Sequence, residues 1–214
     1  MLTALRRPFA LCCVAALLAT GSLAACQTAE EAAEEAGEEA YEEVADLYQD
    51  DYLAVEIEDT QADGNIGGVA RFTYDDQSGE AYVQGRVTGL EPGPHGFHVH
   101  ENGSCAMQDG TPAGAAGGHH NPDDSPHGAP DDDDGERHVG DFGNIRANSD
   151  GVAEFAFSYV RDEPDFGSLE DRAVLVHGGR DDLSSQPSGA AGARVGCGQM
   201  TDSENVDDDM LDDM

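Results

Sequence analysis

The chain has 214 residues, enough for one domain with a hydrophobic core plus extensions. Its formal net charge is −35 and all ten basic residues are Arg, a balance that repels nucleic acid and anionic membrane surfaces and excludes both as partners. Trp is absent, aromatics are scarce and Gly reaches 27, which favours a β-rich, loop-rich domain over a helical bundle.

The first element is a targeting segment. Arg6-Arg7 precedes an apolar run from Phe9 to Leu23, shorter than the roughly 20 residues of a comfortable membrane span. The run ends at Leu23-Ala24-Ala25-Cys26, which resembles a bacterial lipoprotein lipobox. That resemblance implies a signal peptide over residues 1–25 and lipidation of Cys26. Arg6-Arg7-Pro8-Phe9 is also similar to a twin-arginine export motif, so the export route stays open. The expected location is outside the cytoplasm, lipid-anchored to the cell envelope on its periplasmic or extracellular face, with the anchor as the only membrane contact. Of five Cys, Cys12 and Cys13 leave with the signal and Cys26 takes lipid. Cys105 and Cys197 remain as an even pair in an oxidising compartment.

Residues 26–51 read as an acidic tether. Glu pairs at 30–31, 34–35, 38–39 and 42–43 would stack like charges along a helix, which is unfavourable unless salt screens them.

From Leu53 the pattern becomes that of strands. Leu53, Val55 and Ile57 alternate with Ala54, Glu56 and Glu58. Further runs follow at Val69–Tyr74, Ala81–Val87, Gly96–His100, Asp141–Ala147, Val152–Val160, Ala173–His177 and Ala193–Gln199. Turn residues such as Asp63-Gly64-Asn65 and Asp75–Gly79 separate them. Eight short strands with regular turn signals predict an all-β sandwich or barrel over residues 52–200, followed by an acidic C-terminal tail, 201–214.

The run His95-Gly96-Phe97-His98-Val99-His100 places His98 and His100 at i and i+2, on one face of a strand. Two imidazoles held that way make half of a copper site. About 40 residues without periodicity, rich in Gly, Pro, Asp and His, then separate His100 from Asp141, and a loop that long inside a compact domain needs a reason. His119, His120, His127 and His138 fall in it or at its exit, and Asp141 follows three residues after His138. Such N and O donors on a wrapping loop suit a structural zinc site.

In chain order the motifs are Gly96-Phe97-His98-Val99-His100, Gly118-His119-His120-Asn121-Pro122, His127-Gly128-Ala129-Pro130 and His138-Val139-Gly140-Asp141-Phe142-Gly143-Asn144, then Val176-His177 and Gly192-Ala193-Arg194-Val195-Gly196-Cys197-Gly198. Together they resemble the copper/zinc superoxide dismutase family, bacterial type, over about residues 53–199. The resemblance implies an eight-stranded antiparallel Greek-key β-barrel that dismutates superoxide, with one copper and one zinc per subunit. It implies copper on His98, His100, His119 and His177, and zinc on His119, His127, His138 and Asp141, so that His119 serves both metals. It further implies a Cys105–Cys197 disulfide that pins the long loop to the last strand, Asp181 as a carboxylate linking ligands of the two sites, and Arg194 as the guanidinium at the mouth of the copper channel. His119 and Arg194 are thus the residues expected to act on the reaction.

His95 and His120 are expected to be structural, His120 standing where the family usually has an aromatic. The polar Gln199–Ser203 segment departs from the apolar terminus of the eukaryotic-type dimer and leaves monomer and dimer both open. The alternative reading is a non-enzymatic copper/zinc-binding lipoprotein of the same fold. Such a domain should lack a ligand or the arginine, and this chain keeps all of them.

The Lys-free acidic composition is also read as a halophilic adaptation, since the Debye length falls to roughly 3 Å in molar salt and screens self-repulsion. The melting temperature should therefore be lower in dilute buffer than in molar KCl or NaCl. A melting temperature independent of salt would contradict this.

Overall fold

The computed structural model describes residues 52–75, 78–133, 135–160 and 167–202. The expected signal peptide, Cys26, the acidic tether and the C-terminal segment from 203 lie outside the described residues.

Among the described residues, eight strands form at the eight predicted places: β1 Tyr52–Asp59, β2 Gly67–Asp75, β3 Glu80–Thr88, β4 Gly93–His100, β5 Asp141–Ala147, β6 Ala153–Val160, β7 Ala173–His177 and β8 Arg194–Asp202. Two limits lie three residues beyond those expected from the sequence, the others within two. β4 begins at Gly93, because Pro94 and His95 pair with Arg146 and Ile145 of β5. β8 runs into the segment read as a tail, because Thr201 and Asp202 pair with Ala54 and Leu53 of β1. Polar residues are accommodated there because pairing satisfies the backbone whatever the side chain.

All pairings are antiparallel, in the order β5-β4-β7-β8-β1-β2-β3-β6. The two outermost strands, β5 and β6, are consecutive in the chain. A tight turn joins them, in which Asn148 N donates to Val152 O (2.9 Å) and Asn148 Oδ1 accepts from Asp150 N and Val152 N. This brings the ends of the sheet together into a nearly closed barrel. Inside the barrel, Phe97 of β4 meets Phe142 of the neighbouring β5 edge-on at 6.4 Å and Phe155 of β6, from the other end of the sheet, at 5.2 Å. Phe72 completes the aromatic centre of the core, 5.5 Å from Phe142.

Strand alternation decides what faces inward. In β3, Ala81, Val83 and Val87 are buried while Tyr82 and Gln84 face solvent. β4 and β7 break the rule: His95 to His100 and Ala173 to His177 are buried on both faces. Their inner faces (Phe97, Val99, Val174, Val176) join the core. On their outer faces, Ala173 and Leu175 pack with Cys197, Ala113 and Ala116, where the long loop lies on the barrel wall. The histidines share that covered side.

Candidate metal centre

Strand register sets the foundation. His98 and His100 of β4 lie opposite Leu175 and Ala173 of β7, and His98 also lies opposite Asp141 of β5. Register shifts occur in β4 between Gly96 and His98 and in β7 at Val176/His177, and such irregularities re-aim side chains. Both ends of the long loop are stitched to one backbone position of β4: Val99 N donates to Gly140 O (2.9 Å) and Val99 O accepts from His120 N (2.8 Å). Gly140 is required at this seam, since a Cβ would lie 2.1 Å from Val99 O. His119 is thereby set beside His100 through an isolated antiparallel bridge.

Two buried clusters result. One comprises His98, His100, His119 and His177; the other comprises His119, His127, His138 and Asp141. Within each, the donor atoms lie within 4.8 Å of one another. His119 belongs to both.

Hydrogen bonding distinguishes the nitrogens of each ring. His98 Nε2 is 2.7 Å from Asp181 Oδ2, His100 Nδ1 is 3.0 Å from Gly117 O, and His119 Nδ1 is 2.7 Å from Asp141 Oδ1. His127 Nε2 is 3.0 Å from Asp181 Oδ1, and His177 Nδ1 is 3.4 Å from Gly192 O. The opposite nitrogens, His98 Nδ1, His100 Nε2, His119 Nε2, His127 Nδ1 and His177 Nε2, are buried with no hydrogen-bond partner. Stranding one buried polar atom costs about 1–3 kcal/mol, so five in one place indicate a group that satisfies them. Four of these orphans belong to the first cluster, and its all-imidazole donor set suits copper. In the second, three imidazoles and a carboxylate suit a closed, four-coordinate zinc.

Asp141 accepts backbone N–H from Gly128 (3.1 Å) and His138 (2.9 Å) through Oδ2, leaving Oδ1 among the rings. His127 Nδ1 stands 3.0 Å from that Oδ1 without hydrogen-bond alignment, as two ligands of one ion would. Asp181 joins the clusters by taking His98 with one oxygen and His127 with the other. Its backbone is held in turn by the Asn144 side chain, whose Nδ2 donates to Asp181 O (3.0 Å) and whose Oδ1 accepts from Asp181 N (2.8 Å).

Burial pushes the His119 pKa down to about 4 and that of His177 down to about 3, and holds His100 well below the imidazole range. These rings are neutral at physiological pH, the form that binds metal. His127 is the exception: burial opposes its charge, but the carboxylates of Asp141 and Asp181 outweigh it and raise the pKa to about 9. Burial works against charge on Asp141 and Asp181 too, yet the neighbouring imidazoles hold both far below the usual carboxylate range.

The metal-free protein should accordingly be most stable near pH 6.5. His119 and His177 have depressed values, so their contribution is complete above 6.5 and is lost as pH falls toward 4 and 3. The raised His127 contributes fully below 6.5 and loses its contribution as pH rises through 9. Thermal melts in chelator across pH 4 to 9 check this, and a flat profile would contradict it.

Arg194, opposite His177 in the β7–β8 pairing, donates through Nη1 to Ala113 O (2.6 Å) and through Nη2 to Gly117 O. Gly117 O also faces His100 Nδ1, so one carbonyl ties the guanidinium to a ring of the first cluster. Cys105 and Cys197 form the implied disulfide, 92 residues apart in sequence with Cα atoms at 5.7 Å. His95 and His120 stand outside the clusters: His95 lies 2.8 Å from His177 O and 2.7 Å from Glu91 O, and His120 Nε2 lies 2.8 Å from Ser168 Oγ.

Three supporting residues have no role in the sequence reading. Asn144 sits in a motif that marked its neighbour Asp141. Gln186 bonds the His127 backbone at both N and O, each at 2.8 Å. Gly189 has φ +65°, and a Cβ there would lie 1.7 Å from Asp181 Oδ1. An unusual φ leaves no periodic trace in sequence, although Ser188-Gly189 is an ordinary turn signal.

The family described as copper/zinc superoxide dismutase (SODC) matches residues 66–200. Cu-Zn superoxide dismutase 2 of Mesembryanthemum crystallinum is 44% identical over 144 residues, covering 63% of this chain and 86% of that protein. Cu-Zn superoxide dismutase 3 of Arabidopsis thaliana is 43% identical over 146 residues, covering 64% and 83% respectively. The crystal structure of the clock protein EA4 superposes with a TM-score of 0.58 at 33% identity, over 70% of this chain and 93% of that one. A family match across most of the barrel, on a chain whose two buried clusters suit copper and zinc, makes this chain a member of the copper/zinc superoxide dismutase family.

Proposed function

We propose that this chain dismutates superoxide to dioxygen and hydrogen peroxide, with copper held by His98, His100, His119 and His177 and zinc by His119, His127, His138 and Asp141. The carrying observation is the set of five buried ring nitrogens without partners, four of them in the all-histidine cluster. When bound, copper supplies a one-electron redox couple that can alternately oxidise and reduce superoxide, whereas zinc has a single oxidation state and serves structure.

The chain's own residues do the rest. Arg194 offers a permanently charged, planar fork to a small anion, and its bonds to Ala113 O and Gly117 O hold it still. That local charge matters in a chain of net −35, whose overall field repels the substrate. His119 Nδ1 is taken by Asp141 and its Nε2 is left without a partner, so with copper and zinc bound Nε2 would be the atom able to hold or release a proton. Asp181 and Gly117 O fix ring orientation and tautomer for His98 and His100.

The test is superoxide dismutation by the oxidised chain lacking residues 1–25, loaded with zinc and copper and assayed in molar salt. Fast, copper-dependent turnover that His177→Ala abolishes is expected. Arg194→Ala should retain copper and lose about tenfold or more in rate at low salt. Tight binding of both metals without turnover would favour the non-enzymatic metal-binding reading instead.

Export and anchoring through Cys26 belong to the same proposal. The lipobox-like Leu23-Ala24-Ala25-Cys26 supports them, as does a disulfide of the kind that persists in oxidising compartments. Cys26→Ala should release the protein from the envelope.

A further inference from the structure

We infer that Gln186 is a positioning residue for the zinc ligand His127, holding it by its main chain from the loop that also carries Asp181. This rests on the reading of the His127 cluster as the zinc site. The Gln186 side chain forms a closed ring of two hydrogen bonds with one residue: His127 N donates to Oε1 and Nε2 donates to His127 O, each at 2.8 Å. Only this orientation of the amide satisfies both groups, since the flipped amide would set donor against donor and acceptor against acceptor. The contact spans 59 residues of sequence.

His127 is also held at its ring and through the residue that follows it. Asp181 Oδ1 meets Nε2 of the ring at 3.0 Å, and the next residue's Gly128 N donates to Asp141 Oδ2 at 3.1 Å. Asp181 Oδ1 also accepts from Leu183 N (2.7 Å), and Gly189 closes the same loop through bonds to Ser185 O and from Asp182 N. Residues 181–189 therefore grip His127 twice, at its ring by a carboxylate and at its backbone by an amide. Gln186 itself is exposed, so it fills no core. Its side chain has a directional role, and a metal ligand must be held to a few tenths of an ångström.

The experiment compares the disulfide-bonded parent with Gln186→Ala and Gln186→Glu. Glu keeps an acceptor for His127 N but sets its second oxygen against His127 O. Zinc affinity is measured by chelator competition, the cluster's geometry by the visible spectrum of bound cobalt(II), and copper affinity and metal-free melting serve as controls. Both variants should bind zinc about tenfold or more weakly and give altered cobalt bands. Copper affinity and metal-free melting should stay at parental values. Parental zinc affinity and cobalt bands in both variants would overturn the assignment. So would a parallel fall of zinc affinity, copper affinity and metal-free melting, which would mark a general loosening. A parent that binds neither zinc nor cobalt would instead sink the zinc-site reading, and the role of Gln186 with it.

Discussion

Asp141→Asn should abolish tight zinc binding and destabilise the metal-free protein by about 3–5 kcal/mol, the usual cost of breaking a buried ion pair from one side. Asp141 is fully buried and serves five groups: the rings of His119, His127 and His138 and the backbone N–H of Gly128 and His138. Asn is the same size, so packing is kept and the charge is lost. Its amide must then turn N–H donors toward either the two backbone N–H groups or the ring nitrogens. His127, held protonated by two carboxylates, keeps only Asp181. Zinc affinity should fall by more than the roughly 10–100-fold typical of losing a mere supporting partner. Chelator competition and denaturant unfolding of the metal-free form measure the two effects. Near-parental zinc affinity would remove Asp141 from the ligand set.

Replacing both Cys105 and Cys197 with Ser should cost roughly 4–5 kcal/mol, because the bridge closes a loop of sequence separation 92 and removes that much entropy from the unfolded chain. For a domain of this size the loss corresponds to a drop of roughly 10–20 °C in melting temperature. Activity should suffer as well. The segment from Cys105 to Gly117 carries Ala113 O and Gly117 O, the two acceptors that hold Arg194, and the disulfide anchors it to β8 beside Leu175, Ala113 and Ala116. Zinc binding should be the less affected function, because His127, His138 and Asp141 are tied through Asp181, Gln186 and β5 instead. A melting temperature unchanged on removing both sulfurs would show that the loop is held without the bridge.

The barrel was legible because its signals are local. Alternation at Leu53, Val55 and Ile57 or at Ala81, Val83 and Val87 reports a strand with one buried face, and turn residues punctuate it. The pair His98 and His100 was legible for the same reason: the period of a strand is two. The extra length of β4 and β8 was not, because it depends on partners, Arg146 and Ile145 in one case and Leu53 and Ala54 in the other. In the long loop only residue types were readable. Nothing periodic there says that residues 120 and 140 meet at Val99, or that Gln186 reaches His127.

By itself, then, the sequence determined the all-β class, the eight strand positions, the order of the histidine, aspartate, arginine and cysteine motifs, and the strongly acidic character. These follow from side-chain chemistry and from spacings of a few residues. Only the tertiary structure decided which nitrogen of each ring is tied off and which is left bare, how Asp181 spans His98 and His127, and which amides, Asn144 and Gln186, hold the backbone beneath them. The contacts of Asp181, Asn144 and Gln186 join positions 37 to 83 residues apart. They exist because burial makes every unpaired polar atom costly, and chain folding alone determines which partner is near enough to satisfy it.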